Sequence, residues 1–161
     1  MLTKGYDDLT SGLDYQINQH YTLGAVAKYD LNQASYEEFA TTLEIDYDNF
    51  KYDTAMQIDL NTGQLKRWDN SLELKLGPSD WQWQISLNSS YDQLEQKFRE
   101  ANLTLEKMLH KRKLSLSYDH LQGEVWFQYQ LLAFPNSGVK VGSNDNEGML
   151  FGGELGRLLD E

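Results

Sequence analysis

Apolar and polar side chains alternate along Trp81-Gln82-Trp83-Gln84-Ile85-Ser86-Leu87-Asn88, and a period of two belongs to a β-strand, whose successive side chains point to opposite faces. One face of this stretch carries Trp81, Trp83, Ile85 and Leu87; the other carries Gln82, Gln84, Ser86 and Asn88. The pattern recurs in Leu43, Ile45 and Tyr47 against Glu44 and Asp46, and in Tyr52, Met56, Ile58 and Leu60 against Asp53, Gln57 and Asp59. Further on, Leu72, Leu74 and Leu76 oppose Glu73 and Lys75; Leu103 and Leu105 oppose Asn102, Thr104 and Glu106; Leu114, Leu116 and Tyr118 oppose Lys113, Ser115 and Ser117. Leu13, Tyr15 and Ile17, then Leu23, Ala25, Ala27 and Tyr29, continue it more weakly. Helical spacing fails nearly everywhere, and the alternation lapses near Pro135.

Between these stretches lie residues that preset a bend or tolerate positive φ: Asn18-Gln19-His20, Asn32-Gln33, Asp48-Asn49, Asn61-Thr62-Gly63, Gly77-Pro78-Ser79-Asp80 and Gln122-Gly123. Strands and turns together predict an all-β protein, an antiparallel up-and-down meander of about nine strands joined hairpin to hairpin over residues 1–135. Tyr91 to Lys107 is the one segment with helical character, and its Asp92-Gln93-Leu94-Glu95-Gln96-Lys97 run reads as a charged loop between two strands. Residues 136–161 read as a polar, Gly-rich tail, whose end from Met149 to Glu161 is open between a short strand, a helix and a disordered stretch.

The chain carries 25 Asp and Glu against 14 Lys and Arg, a net charge of −11, so the basic footprint of a nucleic-acid binder is missing and no nucleic-acid partner is expected. With no Cys there is neither a disulfide framework nor a thiolate metal site. No run approaches the roughly 20 apolar residues of a membrane helix, which says nothing against a barrel. The opening Met1-Leu2-Thr3-Lys4-Gly5-Tyr6-Asp7-Asp8 has no signal-sequence pattern, so a membrane reading requires that a longer chain preceded it.

No enzyme is expected. His20, His110 and His120 are isolated at turns, Ser86 to Ser90 and Ser115 to Ser117 lack a base, and Asp46 with Asp53 reads as a solvated face rather than an acid pair or a Ca²⁺ site. Gly152-Gly153 with Gly156 follows no phosphate-binding pattern. No catalytic, cofactor-binding or metal-ligating residue is assigned. Lys111, Arg112 and Lys113 form the one compact basic cluster, on a turn where anionic headgroups or phosphates are possible contacts.

A sheet with one apolar and one polar face either packs its apolar face around a dry core or turns it to lipid around a polar lumen. Aromatic residues gather near strand ends (Tyr15, Tyr21, Tyr29, Tyr47, Tyr52, Trp81, Trp83, Tyr91, Tyr118), as interfacial girdles do, and strands of about nine to eleven residues fit an outer-membrane crossing. In that case Asp46, Asp53, Gln57, Asp59, Glu73, Gln82, Gln84, Asn88, Asn102, Gln128 and Gln130 line an aqueous lumen. The alternatives are a simple porin-like barrel and a soluble β-barrel that binds a small apolar ligand.

Leu105-Glu106-Lys107-Met108-Leu109-His110-Lys111-Arg112-Lys113-Leu114-Ser115-Leu116-Ser117-Tyr118-Asp119, followed by Gly123-Glu124-Val125-Trp126-Phe127-Gln128-Tyr129-Gln130-Leu131-Leu132-Ala133-Phe134-Pro135, resembles the end of the barrel of the LptD (OstA) family of lipopolysaccharide-assembly outer-membrane proteins. There a Leu-His-Cys-Trp turn precedes a strand ending in Ser-Tyr, and a Gly-Glu-Phe-Trp-like strand closes on Ala-Phe-Pro. The resemblance implies an outer-membrane location, transport of lipopolysaccharide to the outer leaflet through a lumen and lateral gate, and no cofactor. It also implies partners: lipopolysaccharide or lipid, an LptE-like plug, the periplasmic Lpt bridge and the barrel-assembly machinery.

By that resemblance Glu124 to Leu132 is the last strand, the one at the gate, and Leu109, His110, Lys111 and Arg112 form a periplasmic turn. Gly77 to Asp80, Asp48-Asn49 and Gln19-His20 then share the periplasmic side, and longer linkers around Asn61 to Trp68 and Asp92 to Arg99 are extracellular. Lys111 and Arg112 stand where the family has Cys and Trp, so a disulfide from this turn is impossible, and the family's N-terminal jelly-roll and most of its barrel have no counterpart here.

Overall fold

The computed structural model describes residues 8–144 and 148–152. Eleven strands are present: β1 (Leu9–Asn18), β2 (Tyr21–Asp30), β3 (Ser35–Tyr47), β4 (Phe50–Asp59), β5 (Gln64–Leu76), β6 (Trp83–Asp92), β7 (Lys97–Leu109), β8 (Arg112–Asp119), β9 (Glu124–Leu131), β10 (Phe134–Asn144) and β11 (Gly148–Gly152). Their order in the sheet is their order in the chain. The antiparallel meander expected from the alternation is therefore what forms. It is not closed into a barrel: among the described residues no pairing joins β1 to β11.

The meander runs past Pro135, where the tail was expected to begin. Val139, Lys140 and Val141 of β10 pair with Tyr129, Gln128 and Phe127 of β9, and β11 pairs with β10. Glycine hid this strand from the apolar pattern. A Cβ at Gly142 would come within 2.5 Å of the Trp126 ring, and one at Gly138 within 2.9 Å of the Tyr129 carbonyl, so close packing against β9 requires the residue that weakens the sequence signal. Residues 145–147 and 153–161 of the expected tail, with Gly153 and Gly156, lie outside the described residues, as do residues 1–7.

The chain divides into two compact units, Met1–Ser71 with Ser90–Phe98, and Leu72–Ser89 with Arg99–Glu161. In the first, β2, β3 and β4 align Tyr21, Ile45 and Tyr52 in one cross-strand row and Leu23, Leu43 and Thr54 in the next. In the second, β7, β8 and β9 align Leu105, Leu116 and Phe127, then Lys107, Leu114 and Tyr129.

One connection recurs four times. Asp30, Asp59, Asp92 and Asp119 each end a strand, and each carboxylate accepts two backbone N–H groups of the turn that follows: Asn32 and Gln33, Asn61 and Thr62, Leu94 and Glu95, Leu121 and Gln122. The last turn residue has positive φ each time: Ala34 at 52°, Gly63 at 68°, Gln96 at 50° and Gly123 at 62°. The carboxylate satisfies donors that a tight turn would leave open, and the left-handed residue returns the chain to the sheet.

Two of the four left-handed positions are not glycine, which gives a test with opposite signs. Ala34→Gly is expected to stabilise by about 1 kcal/mol and Gly63→Ala to destabilise by about the same, since nothing lies within 4 Å of a Cβ at Gly63. Asp59→Ala should cost about 1 kcal/mol for its lost hydrogen bonds. Urea unfolding under one fixed set of conditions reads all three.

At the opposite strand ends the connections are two residues long, at Gln19-His20, Asp48-Asn49, His110-Lys111 and Leu132-Ala133. Gly77 to Gln82 is the exception, a six-residue link containing the short 3₁₀ turn Ser79–Trp81. The long extracellular linkers expected at Asn61 to Trp68 and Asp92 to Arg99 shrink to four-residue turns, because β5 begins at Gln64 and β7 at Lys97. The longest described connection falls on the side expected to carry the short turns.

Candidate functional site

The chain's chemistry is distributed over the two faces of its sheet. Pairing fixes the faces in the first unit: Leu13, Tyr15, Tyr21, Leu23, Leu43, Ile45, Tyr52 and Met56 share one, and Asp14, Gln16, Thr22, Glu44, Asp46, Lys51 and Asp53 share the other. In the second unit Leu103, Leu105, Leu114, Leu116, Val125 and Phe127 oppose Asn102, Thr104, Glu106, Lys113, Ser115 and Gln128.

No hydrophobic side chain among the described residues is buried. Leu13 is 69% exposed, Phe127 47% and Leu116 45%, although their strands are fully paired on at least one side. The buried side chains are polar: Asp30, Ser90 and Asp92. A domain that folds around a dry core has the reverse distribution.

Aromatic rings crowd the ends of the apolar face. In the first unit Tyr47 stacks on His20 with centroids 4.1 Å apart and meets Tyr21 edge-on at 6.0 Å, at the two-residue turns. At its other end Tyr29 meets Tyr36 at 5.0 Å and Tyr91 meets Phe98 at 5.1 Å. In the second unit Trp81 meets His110 edge-on at 5.6 Å, and the Lys107 ammonium lies 4.6 Å from the Trp83 ring centre. Trp68, exposed on the apolar face, keeps its indole N–H satisfied by donating to Thr54 Oγ1 at 2.9 Å.

The polar face is bound together by ion pairs and small residues. Lys28 sits 2.6 Å from Asp8 and 3.1 Å from Glu37; Lys66 sits 2.9 Å from Glu38; Lys51 lies between Glu44 at 3.4 Å and Asp46 at 3.8 Å. The carboxylates of Asp8, Asp30 and Glu37 lie within 4.8 Å of one another, and the Lys28 ammonium already neutralises two of them. These pairs are exposed to solvent that screens them, so each contributes little to stability. Gly12, Gly24, Ala40 and Ala55 fall between them, and the approach is tight: Thr42 Oγ1 and Asp14 Oδ1 leave no room for a Cβ on Gly24.

The residues singled out in the sequence are brought together in part. Glu124 to Leu131 forms β9, with Leu132 in the turn beyond, and β9 pairs with β8 on one side and β10 on the other. It is an interior strand, so the expectation that it ends the sheet is corrected: two strands follow it. Leu109, His110, Lys111 and Arg112 close the β7–β8 hairpin, with His110 at φ 52°. Arg112 pairs with Leu131, and the Leu132 N–H donates to the Lys111 carbonyl at 2.8 Å. The three histidines contact different aromatic residues, and Asp46 faces Lys51 rather than Asp53.

Sequence reasoning missed the recurrence of Asp30, Asp59, Asp92 and Asp119. Tyr29, Ile58, Tyr91 and Tyr118, each just before one of them, were the signal that could have shown it.

No known protein family, curated protein or solved structure matches the chain.

Proposed function

We propose that this chain is a noncatalytic segment of a transmembrane β-barrel of outer-membrane type, its apolar face against lipid and its polar face lining an aqueous lumen. The observation that carries this reading is the continuous antiparallel sheet with no buried hydrophobic side chain among the described residues. A sheet in water would have to cover that face, whereas lipid is itself its cover and paired strands leave few backbone groups unsatisfied.

Dimensions agree. A strand of 10 residues, such as β2, β4 or β6, spans about 33 Å at the usual rise and about 23 Å along the normal when tilted by about 45°. That is close to the roughly 25 Å apolar band of outer-membrane barrels. The aromatic clusters at both strand ends fit the two interfaces. Closure would need β1 and β11 to find strand partners, because open edges do not persist in hydrocarbon.

Passage of lipopolysaccharide is the finer reading, supported by the resemblance of Leu105 to Pro135 to the LptD barrel end. With β9 paired on both sides, Glu124 to Leu132 would not itself form the lateral seam. Copurification of lipopolysaccharide with the detergent-solubilised chain would support this reading, and a chain that inserts but retains none would leave a simple porin-like barrel.

The first test is purification with and without detergent, followed by far-UV circular dichroism and size exclusion. A β-rich signal that requires detergent or lipid is the expected outcome. A sharp monomer with cooperative unfolding in plain buffer would contradict the membrane reading and favour a soluble barrel with an apolar ligand.

A further inference from the structure

Cations in this acidic chain are mostly paired. Lys28, Lys51, Lys66, Lys75, Lys97 and Lys113 each have a carboxylate within 4.0 Å. Among the described residues Lys107, Lys111, Arg112 and Lys140 have none, in a protein with 25 Asp and Glu; Lys140 lies over the Trp126 ring on the polar face, whereas the other three sit at one end of the β7–β8 hairpin. Their neighbour Lys113 points to the polar face, where it meets Glu106 at 2.9 Å. Lys107 instead lies opposite Leu114, and Arg112 opposite Leu109 and Leu131. Of the three at the hairpin end, Lys107 and Arg112 thus belong to the apolar face at its rim, and Lys111 is in the turn beside them.

The surroundings are those of a bilayer interface. The Lys107 ammonium donates to the Trp81 carbonyl at 2.8 Å and lies over the Trp83 ring, its stem running along the apolar surface while its charge stays at the edge. Trp81 and Trp83 are exposed, and indole rings settle at headgroup level. Three neighbouring cations repel one another unless an anion lies between them. Leu105 and Leu116, farther in on the same face, suit the acyl chains that accompany a lipid phosphate and not a free ion.

We propose that Lys107, Lys111 and Arg112 bind the phosphate of an anionic phospholipid headgroup, with Trp81 and Trp83 seated beside it at the membrane interface. The site rests on the barrel reading above, and it assigns to that barrel a lipid contact at the end of its two-residue turns.

The test compares the full chain in phosphatidylcholine vesicles and in vesicles that also contain phosphatidylglycerol, by cosedimentation and circular dichroism. Tighter association with the anionic vesicles is expected, falling by roughly fivefold for each basic residue removed. Arg112→Gln should therefore lose about fivefold, and K107Q/K111Q/R112Q should lose the preference while keeping its β signal in neutral vesicles. K51Q/K66Q/K75Q, which removes the same charge from paired positions, should keep the preference.

An equal loss in both triple variants, or none in the first, overturns the site. So does displacement by inorganic phosphate at matched ionic strength, which would assign the cluster to a free anion. A chain that inserts equally into both vesicles overturns the site and leaves the barrel standing, whereas one that inserts into neither overturns both.

Discussion

Leu116→Arg is expected to destabilise the vesicle-inserted chain by about 2–4 kcal/mol, the cost of a cation near the bilayer midplane on a lipid-facing strand. Ser117→Arg, one residue along, should change stability by less than about 1 kcal/mol. Leu116 lies midway along β8 in a row with Leu105 and Phe127, whereas Ser117 lies in the polar row between Thr104 and Trp126. Leu116 is 45% exposed. In water an arginine there would reach solvent at almost no cost, so only a lipid environment makes the leucine site the sensitive one. Urea titration of both variants in the same vesicles decides it, and equal midpoints would contradict a lipid-facing β8.

Gly24→Ala is the second change with a large expected effect. A methyl group at that position would land on Thr42 Oγ1 and within 2.9 Å of Asp14 Oδ1, in the row where Asp14, Gly24, Thr42 and Ala55 face one another across four strands. Overpacking of this kind costs about 1–3 kcal/mol. Both obstacles are side-chain atoms, and the Thr42 Cβ lies 3.6 Å away, an ordinary contact. In a Thr42→Ala background the same change should therefore be neutral or stabilising, because alanine restricts the unfolded chain more than glycine does. A double-mutant cycle in detergent measures the reversal, and a cost unchanged by Thr42→Ala would show that the polar face is not packed as described.

Much of this was legible in the alternation, because a period of two depends only on which residues face lipid or core and which face water. Trp83 to Asn88 and Leu114 to Tyr118 declare their faces whatever surrounds them, whereas Trp81 and Gln82, read as the start of the same strand, fall in the 3₁₀ link before β6. The Asn, Asp and Gly turns were legible for the same local reason. β10 was not, since Gly138 and Gly142 are set by the backbone and the Trp126 ring of a neighbouring strand, a tertiary fact that composition registers only as a loop. The position of β9 failed with it: once β10 pairs along Val125 to Gln130, a strand that reads as the last becomes interior. The unpaired state of Lys107, Lys111 and Arg112 was equally hidden, because Lys113 belongs to the same basic run in sequence and to the opposite face in space.

Lipid on one face and water on the other is the central claim, and cysteine scanning tests it most directly, since the chain contains no cysteine of its own. Single cysteines from Leu114 to Tyr118, spin-labelled in the vesicle-inserted full chain, would be probed with oxygen, which concentrates in lipid, and with a water-soluble nickel complex. The expected result is a period of two, with positions 114, 116 and 118 accessible to oxygen and 115 and 117 to nickel. Uniform nickel accessibility, or labels at 114 and 116 shielded from both probes, would contradict a lipid-facing sheet and point to an apolar face covered by protein.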